Sequence, residues 1–325
     1  MTVKPVYLVL GMHRSGTSAV TQLLALAGCG LPRDVLPADE HNARGYFEPW
    51  RVSVFNDERL RAGASAWDDP LGFPFRPLAD DDAWGSRAAA LVAQQFDLAA
   101  APLLKDPRVS LLMPLWRSVF ASAGLSPLCV VPVRDPLAVA ASLAKRNGFS
   151  VQKSILLWCS YMLAAEAYSR GLPRVFVAYD ALLTDWRLQA RRIESALGAP
   201  LPNLDDPAAR GIDAFLSADL RHNAAGTRLS DHGWAGDVAA PLLAWFEAAA
   251  CDAAPGDDAI KGASVALEAL RAQVGELISP IASDLDQARA DLLFAHQLVA
   301  WERTRFQEQL DRMTAAYEAV KASLS

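Results

Sequence analysis

The octapeptide Gly11-Met12-His13-Arg14-Ser15-Gly16-Thr17-Ser18 carries the clearest chemical signal in the 325-residue chain. It places two glycines, one fixed cation and three hydroxyls between an apolar run and a helical pattern. A turn of that kind presents free backbone N–H groups and the positive end of a helix dipole, which together suit a phosphate. A second pair lies far along the chain. Arg134 stands at the end of an apolar run, and Ser142 follows eight residues later in a helical pattern. The planar guanidinium fork matches a phosphate bidentately, and a hydroxyl one or two turns further on completes such a site.

These residues need a scaffold to bring them together. Val6–Leu10 reads as a strand buried on both faces, and the following turn opens a helix ending near Gly28. Residues 28–80 are rich in Gly, Pro, Asp and Trp, with one helix over 50–61. A loop of that length in a compact domain points to a substrate loop or lid. Asp80–Asp82 caps a helix expected to run to about Ala100. Leu103–Lys105 predicts a short strand, 109–121 a helix, and Ser126–Val133 a second apolar strand with Pro132 unable to donate a ladder bond. Helices are expected over 135–146 and 150–170. A third apolar strand follows at 174–180, then a helix over 182–197. Strands alternating with helices imply an α/β fold with a central parallel sheet in three layers.

The loop spacing resembles the Walker pattern G-x-x-x-x-G-K-[ST], with Thr17 in place of the lysine and Arg14 as the cation. Read further, His13-Arg-Ser-Gly-Thr-Ser18 resembles the 5′-phosphosulfate loop of sulfotransferases that use 3′-phosphoadenosine 5′-phosphosulfate (PAPS). Arg134…Ser142 resembles the arginine–serine pair that grips the cofactor's 3′-phosphate in that family. Lys105-Asp106-Pro107 is similar to a tyrosylprotein-sulfotransferase motif whose lysine neutralises charge on the transferring sulfuryl group. Phe47-Glu48-Pro49 is similar to a carbohydrate-sulfotransferase stretch whose carboxylate faces the acceptor. Tyr179, in Tyr-Asp-x-Leu, matches the adenine-contacting tyrosine. The elements appear in the family's order between residue 6 and about 198. The resemblance implies a P-loop-like fold and PAPS as co-substrate, held by Arg14, Ser15, Gly16, Thr17, Ser18, Arg134, Ser142 and Tyr179. No metal is implied.

The resemblance also implies catalytic roles for Glu48, Lys105 and Arg14. Arg14, Lys105 and the loop N–H groups would offset charge developing on the leaving group. A desolvated carboxylate can take the acceptor's proton. Glu48 leads that role, followed by Asp106 and His41, with His13 read as structural; the alternative for Glu48 is a surface carboxylate paired with Arg51. Two family features are missing. Pro107 replaces the histidine base of the cytosolic branch, and its C-terminal R-K-G loop is replaced at most in part by Arg221-His222. Trp50, Trp67 and Trp84 are candidates either to stack on a sugar or aromatic acceptor or to pack the loop.

Composition sets the outer limits. A net charge of −6 and a pI near 5.4 exclude a nucleic-acid-coating surface. Cys29, Cys129, Cys159 and Cys251 lie too far apart for a zinc knuckle and read as reduced thiols, consistent with a cytoplasmic protein. The absence of an 18-residue apolar run predicts no spanning helix. Three units are expected: an α/β domain over 1–234, a linker or loose helical pair over 235–278, and a long helix over 279–325 opening at Ser279-Pro280. Ile278, Leu285, Leu292, Val299, Phe306, Met313 and Val320 recur every seven residues, one seam of a coiled coil for a second copy or a partner, the alternative being a helix that lies on its own domain. The acceptor is expected to be a hydroxyl on a glycan or small molecule. A P-loop kinase and a non-catalytic coiled-coil assembly protein are the alternatives.

Overall fold

The computed structural model describes residues 4–36, 45–97, 101–216 and 228–324, with side chains described to residue 314. Four parallel strands form one sheet: β1 (Lys4–Val9), β2 (Leu103–Lys105), β3 (Leu125–Val133) and β4 (Arg174–Ala178), in the order β2-β1-β3-β4. Period-2 alternation divides every long strand between two cores. Val6 and Leu8 of β1 and Leu10 just past it face one core, with Cys129, Val131 and Val133 of β3 and Phe176 of β4. Tyr7 and Val9 face the other, with Leu128, Val130, Val175 and Val177. A sheet buried on both faces explains the unbroken apolar runs.

Helices cover both faces. The first core takes α2 (Trp50–Ala62), α3 (Asp81–Gln95), α4 (Arg108–Ser122), α5 (Pro136–Asn147) and α6 (Val151–Ser169). The second takes α1 (Thr17–Leu26), α7 (Tyr179–Thr184), α8 (Trp186–Leu197) and α9 (Asp206–Phe215). Both prolines of β3 sit where a ladder ends. Cys129 N–H bonds Pro173 O toward β4, so by alternation Pro132 faces the β1 side, past the last registered pair Val9–Val130. Pro127 faces the β4 side before its first pair, Cys129–Arg174.

Several boundaries differ from the sequence reading. α3 stops at Gln95 because Phe96 turns extended (φ −114°, ψ 140°). The single helix expected over 182–197 is two helices. Asp185 (φ −148°) breaks the chain and caps α8 by accepting from Leu188 N–H. Tyr179 opens α7 and does not end β4. Residues 233–250, expected within a linker, form α10 (Gly233–Ala250). Its Ala239, Leu242 and Phe246 are wholly buried in the first core, where Phe246 meets Trp158 and Phe176 edge to face. The last helix, α11, spans Asp258–Leu324 and runs straight through Ser279 and Pro280, so that pair is not its start. Its first turns bury Ile260, Ala263 and Leu267 against the domain, which is what extends the helix backward. Among the described residues no helix is long and apolar enough to cross a membrane.

Candidate anion-binding site

The site lies at the carboxyl ends of β1 and β3, where the sheet order reverses direction. Adjacent strands there send their following segments to opposite sides and open a crevice. The loop after β1 is held by unusual backbone. Gly11 and Gly16 have φ of +115° and +89°, and Arg14 adopts +66°. Gly16 is the N-cap of α1 and supplies no side-chain cap, and while Ala19 N–H bonds Gly16 O, the Thr17 and Ser18 N–H groups are left for an external acceptor. A Cβ on Gly16 would stand 2.3 Å from the Tyr179 ring, so the loop and the Tyr179 ring pack only through glycine. Gly11 N–H donates to Ser110 Oγ at 2.8 Å, tying the loop to α4. Ser15 is wholly buried, and its hydroxyl has no partner among the described residues.

The two distant motifs meet here. Arg14 Nε donates to Ser142 Oγ at 2.8 Å, across 128 residues of sequence. Arg134 Nη1 donates to the Arg14 carbonyl at 2.9 Å, and its guanidinium lies 4.6 Å over the Tyr179 ring. Thr17 is buried on α1, and Ser18 Oγ donates to Tyr46 O at 3.4 Å. Ser142 sits on α5 because Asp135 caps that helix, accepting from Leu137 and Ala138 N–H.

Glu48 and Lys105 form a buried pair beside this cradle. Lys105 Nζ lies 2.5 Å from Glu48 Oε1 and 3.0 Å from Tyr46 O. Phe47, at φ +58°, precedes Glu48 on the loop leading into α2. Glu48 is therefore not a surface partner of Arg51, which bonds Asp34 at 3.0 Å. Arg108 stands 3.6 Å from Glu48 and also holds Asp57 and Asp106. Burial opposes the charge on Arg108, but Asp106, Asp57 and Glu48 outweigh it and lift its pKa. Burial works to raise the Asp106 pKa, yet Arg108 and hydrogen bonds bring it below the usual range. Asp106 accepts from Asn56 at 3.3 Å and from Arg108, so it positions the guanidinium. His13 packs edge-on against Trp67 and Tyr161. Burial, with the charges of Arg108, Arg146, Lys105 and Arg14, pushes its pKa well down, and the imidazole is neutral.

Two cations emerge that sequence reading passed over. Arg108 directly follows Lys105-Asp-Pro. Arg146 lies four residues beyond Ser142 on the same face of α5, a spacing that could have flagged it. Burial and the charges of Arg14 and Arg108 lower the Arg146 pKa. Burial likewise lowers that of Arg134, with Arg14 adding to it. Among the described residues Arg14, Arg134 and Arg146 form no ion pair. Trp84 and Trp67 belong to the core, while Trp50 is exposed beneath Arg51. His41, Arg221 and His222 lie outside the described residues.

The sequence matches no family model and no curated protein. The solved structures similar to the chain include three sulfotransferases. One is the sulfotransferase domain of the olefin synthase of Synechococcus PCC 7002, at 17% identity over 81% of this chain and 94% of that one, with a TM-score of 0.43. Another is a sulfotransferase from Mycobacterium tuberculosis H37Rv, at 13% identity over 74% and 77% and a TM-score of 0.41. The third is the sulfotransferase domain of the curacin biosynthetic pathway, at 12% identity over 65% and 78% and a TM-score of 0.38.

Proposed function

We propose that this protein is a PAPS-dependent sulfotransferase acting on a hydroxyl of a carbohydrate or glycosylated metabolite. The observation that carries the reading is the meeting of Arg14, Arg134 and Arg146 around an uncapped helix start. Three arginines from two separated segments converge with no ion-paired acid among the described residues. Such an arrangement suits an anion, and two motifs imply two anionic groups on one ligand. The residues present fit that ligand: the Ser15 hydroxyl is buried without a partner, and Tyr179 stacks beside the Gly16 cradle.

In this reading Arg14, Ser15, Gly16, Thr17 and Ser18 receive the 5′-phosphosulfate, Arg134 and Ser142 the 3′-phosphate, and Tyr179 the adenine. When bound, PAPS supplies the sulfuryl group that passes in line to the acceptor oxygen. Lys105 and Arg14 lie where positive charge offsets that building on the leaving oxygen. Lys105 has two anionic partners within its reach, Glu48 and the incoming ligand. Drawn toward the ligand, it frees Glu48 Oε1 to take the acceptor proton, while Arg108 keeps that carboxylate oriented. His13, kept neutral by burial and by the charges around it, is a poor proton acceptor.

Calorimetric titration with 3′-phosphoadenosine 5′-phosphate, beside ATP with Mg²⁺, tests the reading. Micromolar binding of the first, lost in Arg134→Ala, is expected. Binding of ATP alone would replace this reading with a kinase.

A further inference from the structure

The outer part of α11 inverts the usual placement of apolar side chains. Leu285, Leu292, Val299, Phe306 and Met313 are each at least half exposed, as is Leu277, and Leu298 beside them is 47% exposed. The same face stays open where the helix still lies on the domain, with Ile281 47% exposed while the Arg61–Asp286 ion pair pins the far side and Arg289–Asp68 the flank. A soluble surface rarely leaves so long an apolar stripe uncovered.

The charges flanking the stripe say what covers it. The position immediately before each seam residue reads Asp284, Asp291, Leu298, Arg305, Arg312. The row is acidic in its first half, basic in its second and apolar at its centre. All five side chains are exposed, and none of the four charged ones forms an ion pair with a described residue. Such a row is complementary to itself only when reversed. We infer that α11 pairs antiparallel with α11 of a second copy of this chain, about a two-fold axis at Leu298. In antiparallel coiled coils residues of this flank face one another. Asp284 then meets the partner's Arg312, Asp291 meets the partner's Arg305, and the two Leu298 side chains meet on the axis.

Three of the five seam layers agree with that register: Val299 falls opposite the partner's Ala295, Phe306 opposite the partner's Ala288, and Met313 opposite the partner's Ile281, large against small or moderate, while Leu292 and Leu285 fall opposite the partner's Glu302 and the partner's Gln309, so that Glu302 meets an apolar side chain and not a second carboxylate. On the other flank Arg303 faces the partner's Arg289, a charge partly offset by Asp68 of its own protomer, which Arg289 shares with Lys153. A parallel pair fits worse. It stacks Glu302 on its own copy within the seam and leaves Arg305 and Arg312 beside Leu310 and Tyr317. The antiparallel overlap between 284 and 312 runs about 42 Å at 1.5 Å per residue and sets the two domains at opposite ends of a rod.

Sedimentation equilibrium of the full chain is expected to give a dimer, twice the 35.0 kDa chain mass. Arg305→Asp with Arg312→Asp makes the row wholly acidic and should weaken the dimer at least tenfold, with helical circular dichroism per residue of the domain preserved. Adding Asp284→Arg and Asp291→Arg restores complementarity and should restore the dimer; failure to do so overturns the register. Leu298→Cys, in a Cys251→Ser background, is expected to oxidise to a linked dimer, and absence of that link overturns the antiparallel arrangement. A monomeric full chain overturns the proposal and hands the face to another protein or to a membrane surface, which anionic vesicle flotation separates.

Discussion

The two ends of this molecule break the same rule in opposite directions. At the crevice, Glu48, Lys105 and Asp106 are charged yet at most 4% exposed. Along the outer half of α11, Phe306 and Met313 are apolar yet at least 70% exposed. Each departure costs the isolated chain free energy. A buried charge loses hydration that a protein partner only partly replaces, and an exposed apolar side chain keeps its water. The crevice meets its cost inside the protomer by pairing Glu48 with Lys105 and Arg108, and what is left over is positive. The helix has no such internal remedy, because its seam residues from Leu285 to Met313 are all exposed. A site that retains surplus charge is built for a small anion, and one that retains surplus apolar area is built for another surface.

The sharpest way to break this contrast is at the buried pair. Lys105→Met is expected to cut turnover roughly 10²–10³-fold, as loss of one charge-stabilising donor does. It also leaves Glu48 buried without its closest cation, which costs about 3–5 kcal/mol of stability. Adding Glu48→Gln should return most of the stability and none of the activity. An assay beside a melting curve decides this: activity returning with stability would make the pair purely structural. Next comes Gly16→Ala. The residue sits at φ +89°, where a Cβ costs about 1–2 kcal/mol, and that Cβ would strike the Tyr179 ring. Nucleotide binding by calorimetry should vanish while the overall fold persists.

A smaller effect concerns pH. The folded protein holds His13 neutral, whereas the unfolded chain protonates it near pH 6.5. Below that pH the unfolded state binds the extra proton, so stability falls as pH drops, by up to about 1.4 kcal/mol per unit. His13→Gln should flatten that limb of a pH series of urea melts. At the alkaline side, burial pushes the Cys29 and Cys129 thiols and the Tyr7 hydroxyl up to about 12. The unfolded thiols release protons from about pH 9, so stability falls again as pH rises above that. At pH 8 a thiol reagent should therefore label only exposed Cys251 in the native protein and all four cysteines after denaturation. The smallest effect expected is on the domain when α11 is cut after Ala290. Both ion pairs that pin the helix remain, so the domain's stability should change by less than about 0.5 kcal/mol while the dimer is lost. A large loss of domain stability would show that the outer helix packs on its own protomer.

The sequence by itself determined the parallel α/β class. Apolar runs punctuated by a glycine turn and by capped helices leave few other folds, since each run must be buried on both faces. It also singled out Arg14, Arg134 and Ser142, because such side chains after strand ends suit a phosphate, whereas Lys105 and Glu48 stood out only through motifs that resemble those of sulfotransferases. The heptad row was equally legible, since period is a property of order along the chain. Tertiary structure alone decided where α11 begins: Ile260, Ala263 and Leu267 are buried against the domain, and that packing carries the helix across Ser279-Pro280. It decided that residues 233–250 are core helix, because alanine-rich segments reveal their buried face only once a neighbour exists. And it decided that Arg108 and Arg146 stand beside Glu48. Side chains separated by nearly a hundred residues share an electrostatic neighbourhood only after the sheet has drawn the strand ends together.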